Sequence, residues 1–143
     1  MEEKYFNRYR SFCRSLRNLK KSKSADPAAE FVLEGTIQNY NLTFDLAWKV
    51  MKDILVKQLG ITDFAIGSPR EVLQSAFTNG LISDDIWLKM LKTRNLLAHD
   101  YDGIIAEKNF QEIISNYYDA FDGLNDVITK FYDGSLPSID SFD

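Results

Sequence analysis

The stretch IQNYNLTFDLAWKVMKDIL, residues 37–55, decides the fold class. Ile37, Tyr40, Phe44, Ala47, Trp48, Met51, Ile54 and Leu55 recur mostly three and four apart. That period gathers apolar side chains on one face of an α-helix. Strict alternation, the mark of a half-buried strand, occurs neither here nor in any other run of strand length. The helix extends in both directions, from about Pro27 to Leu59. Asp26 is expected to cap it, with Pro27 as its first residue. Gly35 is expected to weaken or bend its early part, and Gly60 to stop it.

The same period governs the flanks. Tyr5, Tyr9, Phe12, Leu16 and Leu19 form one face of a first helix from about Glu3 to Lys21. Arg10, Arg14, Arg17 and Lys21 form a second stripe on another face, and a turn follows over Ser22 to Asp26. Gly67-Ser68-Pro69-Arg70-Glu71 opens a short third helix: Ser68 caps, Pro69 suits the first position and Glu71 completes a capping box. Asn79-Gly80 ends it. Ser83, Asp84 and Asp85 are expected to start a fourth helix, which buries Trp87, Met90 and Leu91 and stops near Asp100 to Gly103. Phe110, Ile113, Ile114, Tyr117, Phe121, Leu124, Ile128 and Phe131 carry a last helix from about Ala106 to Tyr132. Long helices with short connections imply an all-α, antiparallel up-and-down bundle of about five helices.

We read residues 1–133 as one domain, and the polar tail 134–143, which holds Pro137, as poorly ordered. Cys13 is the only cysteine, so neither an intrachain disulfide nor a cysteine metal cluster can form. A reducing cytoplasm fits this usage. No stretch resembles a signal peptide, and no apolar run approaches the roughly 18 residues of a membrane span. The net charge of −4 conceals an asymmetry: residues 1–23 sum to +6 and the remainder to −10. The balance argues against general nucleic-acid affinity, while the first segment leaves room for a local basic surface.

One segment stands out chemically: Arg94-Asn95-Leu96-Leu97-Ala98-His99-Asp100-Tyr101. On an ideal helix Arg94 falls within the apolar stripe of Met90, Leu91, Leu97 and Ala98. A guanidinium keeps its charge and is costly to bury alone. It should therefore meet a carboxylate, face a partner subunit or line an anion-binding groove, unless it snorkels to the surface. His99 is the only histidine. It has a plain role available at a helix C-terminus, and it is also the one side chain suited to proton transfer near pH 7. Five helical residues turn about 500°, leaving Arg94 and His99 about 140° apart. Either the helix breaks near Ala98, or two copies of the segment meet at a dimer interface. Asn95 could donate to a phosphate oxygen or fix His99, and Tyr101 should be exposed by the turn between Asp100 and Asp102. Lys89, Lys92 and the first-helix stripe could steer RNA or simply be solvated. No Gly-rich phosphate loop, His/Cys metal set or G-x-S-x-G is present, so no metal or cofactor is expected.

Arg94 to His99 resembles the R-x4–6-H signature of HEPN domains, with Asn95 as the polar residue after the arginine. Residues 44–49, 67–71, Ala76-Phe77, 80–82 and 87–101 resemble, in that order, the nucleotidyltransferase substrate-binding proteins within the HEPN class. The resemblance covers about residues 5–132. It implies a homodimer with both motifs at the interface. It also implies a partner, a minimal (MNT-type) nucleotidyltransferase usually encoded alongside. Related pairs act as toxin–antitoxin modules, in which the HEPN protein is a metal-independent endoribonuclease silenced by AMPylation of a tyrosine. By resemblance Arg94, Asn95 and His99 would be catalytic, with RNA as substrate, and Tyr101 would accept AMP. Asp45 and Asp100 would support the site. Where many relatives carry a glutamate ahead of the T-F-E-L-A-W-like run, this chain has Asn41, and Asp45 replaces the inner glutamate, so Asp45 is the remaining carboxylate for Arg94. The alternative is a non-catalytic subunit that binds a nucleotide or acceptor for the nucleotidyltransferase.

Overall fold

The computed structural model describes residues 2–61 and 67–132, so the expected disorder of 134–143 lies outside the described residues, as does the Tyr5 side chain, expected on the apolar face of the first helix. The chain is an all-α helical bundle, with no strand among the described residues. Helix α1 spans Glu2–Lys21, α2 Val32–Lys57, α3 Pro69–Thr78 and α4 Ile86–Leu97. Helix α5 (Ile104–Glu112) runs through a π-helical turn, Ile113–Tyr117, directly into α6 (Tyr118–Ile128). Helix α2 is the central member and packs against α1, α3, α4 and α5.

Packing follows the apolar faces. Tyr9, Phe12, Leu16 and Leu19 of α1 are buried against Tyr40, Phe44, Ala47, Met51, Ile54 and Leu55 of α2, all in one core. Ile37 and Trp48 pack on its margin. Aromatic rings join α2, α4 and α6: Trp87 stands edge-on to Phe121 at 5.6 Å, and Phe44 lies 6.2 Å from Trp87. Such pairs add about 0.5–1.5 kcal/mol beyond the area they bury. The π-helical turn shifts the helical phase, so that neighbouring Tyr117 and Tyr118 are both buried. Tyr117 Oη bonds Thr93 Oγ1 of α4 at 2.9 Å, which ties the last rod to the helix carrying Arg94.

Local grammar sets two boundaries as expected. Ser68 Oγ accepts the Glu71 N–H at 3.2 Å and donates to Glu71 Oε1 at 3.1 Å, with Pro69 first in α3. At its other end the Leu81 N–H reaches the Ala76 carbonyl while Gly80 takes φ +81°, a Schellman-type stop.

Other boundaries differ. Asp26-Pro27 does not open α2: Asp26 Oδ1 accepts from Ala28 N–H and its carbonyl from Ala29 N–H, which closes a turn. Phe31 then adopts φ +70°, and α2 starts at Val32. It passes through Gly35 unbroken and ends at Lys57, with Gly60 left-handed at φ +68° just beyond. Ser83 does not cap α4; Asp84 Oδ1 takes the Ile86 N–H, and Asp85 is the N-cap residue. Most consequentially, α4 ends at Leu97, not between Asp100 and Gly103. The last rod starts at Ile104, two residues earlier than expected.

Candidate functional site

The early end of α4 organises the site. After Leu97 the backbone tightens: His99 N–H bonds the Leu96 carbonyl and Asp100 N–H the Leu97 carbonyl. The chain then turns sharply, with Gly103 left-handed at φ +76°. Asp100 holds this corner. Its Oδ1 accepts from Ile105 N–H at 3.0 Å and its Oδ2 from Ala106 N–H at 2.8 Å. A carboxylate thus caps the first turn of α5, where free N–H groups and the positive dipole end coincide. Asp100 is therefore a structural support of the segment.

Arg94 is not a buried core charge. It projects from α4 to Asp45 of α2, with Nε to Oδ1 at 3.1 Å and Nη2 to Oδ2 at 2.9 Å. The two side chains retain 29% and 34% of their exposure, so this is a bidentate pair at the bundle surface. The hydrogen bonds it donates to Asp45 hold the guanidinium above its already high range, so Arg94 is a fixed cation. Beneath it, Tyr40 Oη donates to the Met90 carbonyl at 2.7 Å, and burial drives its phenol well above the usual tyrosine range.

Asn95 and His99 belong to a different surface. They line an open groove of about 870 Å³ between the start of α3 and the outer face of α4, together with Ser68, Arg70, Lys89 and Lys92. Arg94 is not among the lining residues. Lys89 donates to Glu112 Oε1 at 3.3 Å, and that bond holds its ammonium above the usual lysine range. Tyr101 stands on the turn after α4, 92% exposed. Within one copy the structure therefore separates an anchored cation from an exposed imidazole and amide.

Sequence reasoning misses Arg70 and Ser68 as site residues. Ser68-Pro69-Arg70 reads in sequence only as a helix start, and only the packing of α3 on α4 brings it into the groove that His99 also lines. Among the described residues no three of His, Cys, Asp and Glu are placed to hold a metal ion. Among them, too, no helix is long and apolar enough to cross a membrane.

A family model described as nucleotidyltransferase substrate binding protein like matches residues 4–130. This chain belongs to that family. The match reaches every helix described above and includes the whole segment from Arg94 to Tyr101. No curated protein matches the chain. The family's name associates it with a nucleotidyltransferase.

Proposed function

We propose that this chain is the HEPN-type partner of a minimal nucleotidyltransferase and a cytoplasmic, metal-independent endoribonuclease, the toxin of a toxin–antitoxin pair. The observation that carries the reading is the state of the R-x4-H-x-Y segment. Its arginine is oriented by a bidentate carboxylate, while Asn95, His99 and Tyr101 stand exposed. A tyrosine ring left 92% exposed adds no packing to the bundle and is open to a partner enzyme.

In this reading two copies pair, so that Arg94 and His99 from both segments share one cleft. Leu96 and Ile104, each about half exposed beside the segment, supply apolar area for such pairing. Arg94 holds the scissile phosphate and stabilises the charge that develops on it. The ribose 2′-oxygen attacks phosphorus and the bond to the 5′-oxygen breaks, leaving a 2′,3′-cyclic phosphate and a 5′-hydroxyl. His99 takes the 2′-hydroxyl proton or delivers one to the leaving oxygen. Asn95 positions the phosphate or the imidazole. Tyr101 Oη accepts AMP from a nucleoside triphosphate on the partner enzyme, with pyrophosphate leaving, and this silences the site.

The purified protein should cut RNA in the presence of a chelator, and His99→Ala should abolish cutting. Co-expression with the nucleotidyltransferase should add the mass of one AMP, and Tyr101→Phe should prevent it. Cleavage that survives His99→Ala, or that needs magnesium, would overturn the ribonuclease assignment. The second reading, a non-catalytic nucleotide-binding subunit, is favoured by one feature: the basic groove is complete within a single copy. No cutting of RNA under any condition, with nucleotide binding retained, would establish that reading.

A further inference from the structure

We infer that the groove between α3 and α4 is a track for the RNA backbone beside the scissile phosphate, with Arg70 and Lys92 as the cations that hold its phosphates. The inference rests on the ribonuclease reading for its placement of the reacting phosphate near His99.

Charge is the first argument. The chain beyond residue 23 sums to −10, yet among the described residues no carboxylate lines this groove, and three of its lining side chains are Arg70, Lys89 and Lys92. Glu112 partly neutralises Lys89. Arg70 and Lys92 are exposed, and neither has a carboxylate partner among the described residues. Cations that line one groove without a carboxylate among the described residues raise the local concentration of an anionic ligand.

Shape is the second. A lone phosphate is met by donors that converge on one point. Here the polar groups lie in a row. Lys92, Asn95 and His99 follow one another at spacings of three and four, and Lys89 to Asn95 alone rises about 9 Å along the helix. A row of that length matches a ligand whose anionic groups repeat along a strand. Pro69 and Leu88 give the same groove apolar surface against which ribose and base can lie. Single-strand tracks combine these two elements, a basic line and apolar platforms. Lys92 stands one turn of α4 before Asn95, so it would meet a phosphate next to the one that reacts.

The test uses a labelled single-stranded 2′-O-methyl RNA, which cannot be cut through its 2′-oxygen, and reads binding by fluorescence anisotropy over a salt series. Removing two phosphate contacts from a single strand should lower the slope of log K against log salt by about 1.4 and weaken binding about tenfold at 0.15 M salt. That is the result expected for Arg70→Ala/Lys92→Ala, with Arg70→Lys/Lys92→Arg close to wild type and all melting temperatures compared. An unchanged slope in the alanine variant would overturn the inference, as would a wild-type protein that does not bind this RNA. Displacement of the RNA by stoichiometric ATP would assign the groove to a nucleoside triphosphate, and displacement by polyglutamate to anions in general. Either result overturns the RNA track. The ribonuclease reading is checked separately by cleavage of the unmodified RNA of the same sequence, which keeps its flanking phosphates, with wild type and His99→Ala. Failure to cut it, with groove-dependent RNA binding intact, would sink the nuclease and leave the track.

Discussion

Asp100→Ala tests the corner on which the site is built. The carboxylate makes two charge-assisted bonds, 3.0 and 2.8 Å, to consecutive backbone N–H groups of α5. Loss of a single capping side chain costs about 0.5–2 kcal/mol. A second bond and the interaction with the helix dipole push this case towards the top of that range. Asp100 is only partly buried, and water can reach the freed N–H groups, which pulls it back. We therefore expect a loss of about 1.5 kcal/mol, or about 5 °C in Tm for a chain of this size. Asp100→Asn keeps one acceptor oxygen without the charge and should lose about half as much.

Thermal unfolding followed by circular dichroism at neutral pH measures both variants. A melting temperature for Asp100→Ala within about 1 °C of wild type would refute the reasoning, because two charge-assisted bonds at a helix end cannot vanish without cost. The same corner fixes the backbone of His99 and Tyr101. If the protein cuts RNA as proposed, Asp100→Ala should slow cutting by roughly tenfold or more at temperatures where it stays folded, since small misplacements of a reacting group are costly.

Two further predictions concern charges. Asp45→Ala and Arg94→Ala, combined in a double-mutant cycle by urea denaturation, should show a coupling of about 1 kcal/mol, discounted from a fully buried bidentate pair because both side chains keep about a third of their exposure; additivity within about 0.3 kcal/mol would contradict the pairing. Asp122 has its carboxyl pushed up by burial first and then by Asp126 and Asp119, against the opposing pull of Lys20 and Lys23. The folded state thus holds that proton more tightly than the unfolded chain. Its protonation supports folding below the ordinary aspartate value of 3.8, and this support is lost as pH rises through the raised value. Asp122→Asn should accordingly raise Tm at pH 7, with the gain disappearing in melts below the carboxylate range.

Features that depend on a few adjacent residues are legible in the amino-acid order itself. Ser68-Pro69-Arg70-Glu71 caps α3 as its grammar says, because donor and acceptor lie three residues apart. The buried faces of α1 and α2 follow directly from helical period. Asp26-Pro27 misleads for an instructive reason: the same aspartate oxygen that can cap a helix can close a turn, and the choice is made downstream at Phe31. The end of α4 depends on Asp100 serving the next helix rather than its own. The π-helical turn is hidden because Ile113, Ile114, Tyr117 and Tyr118 are apolar in either phase. Asp45 as the carboxylate for Arg94 comes from resemblance, 49 residues away, and its bidentate geometry needs the fold. Arg70 carries no signal as a site residue, since the groove it shares with His99 exists only in three dimensions.

The stop at Leu97 also bears on how AMP at Tyr101 could silence a nuclease. A helix continued to Gly103 would have placed His99 and Tyr101 at fixed angles on one rod. Instead both follow the helix end, two residues apart on an exposed turn, with His99 lining the basic groove. An AMP group on Tyr101 Oη would carry a phosphodiester and a base within reach of that turn. Its negative charge would be drawn to the exposed cations Arg70 and Lys92, the same groups proposed to hold RNA. The modification would then compete as a tethered ligand, at a local concentration on the order of millimolar for a short flexible link, while the bulk of the nucleotide crowds the approach to His99. Silencing in this form needs no conformational change in the bundle. It needs only an exposed tyrosine on the turn after α4 and a basic groove that reaches the same turn at His99.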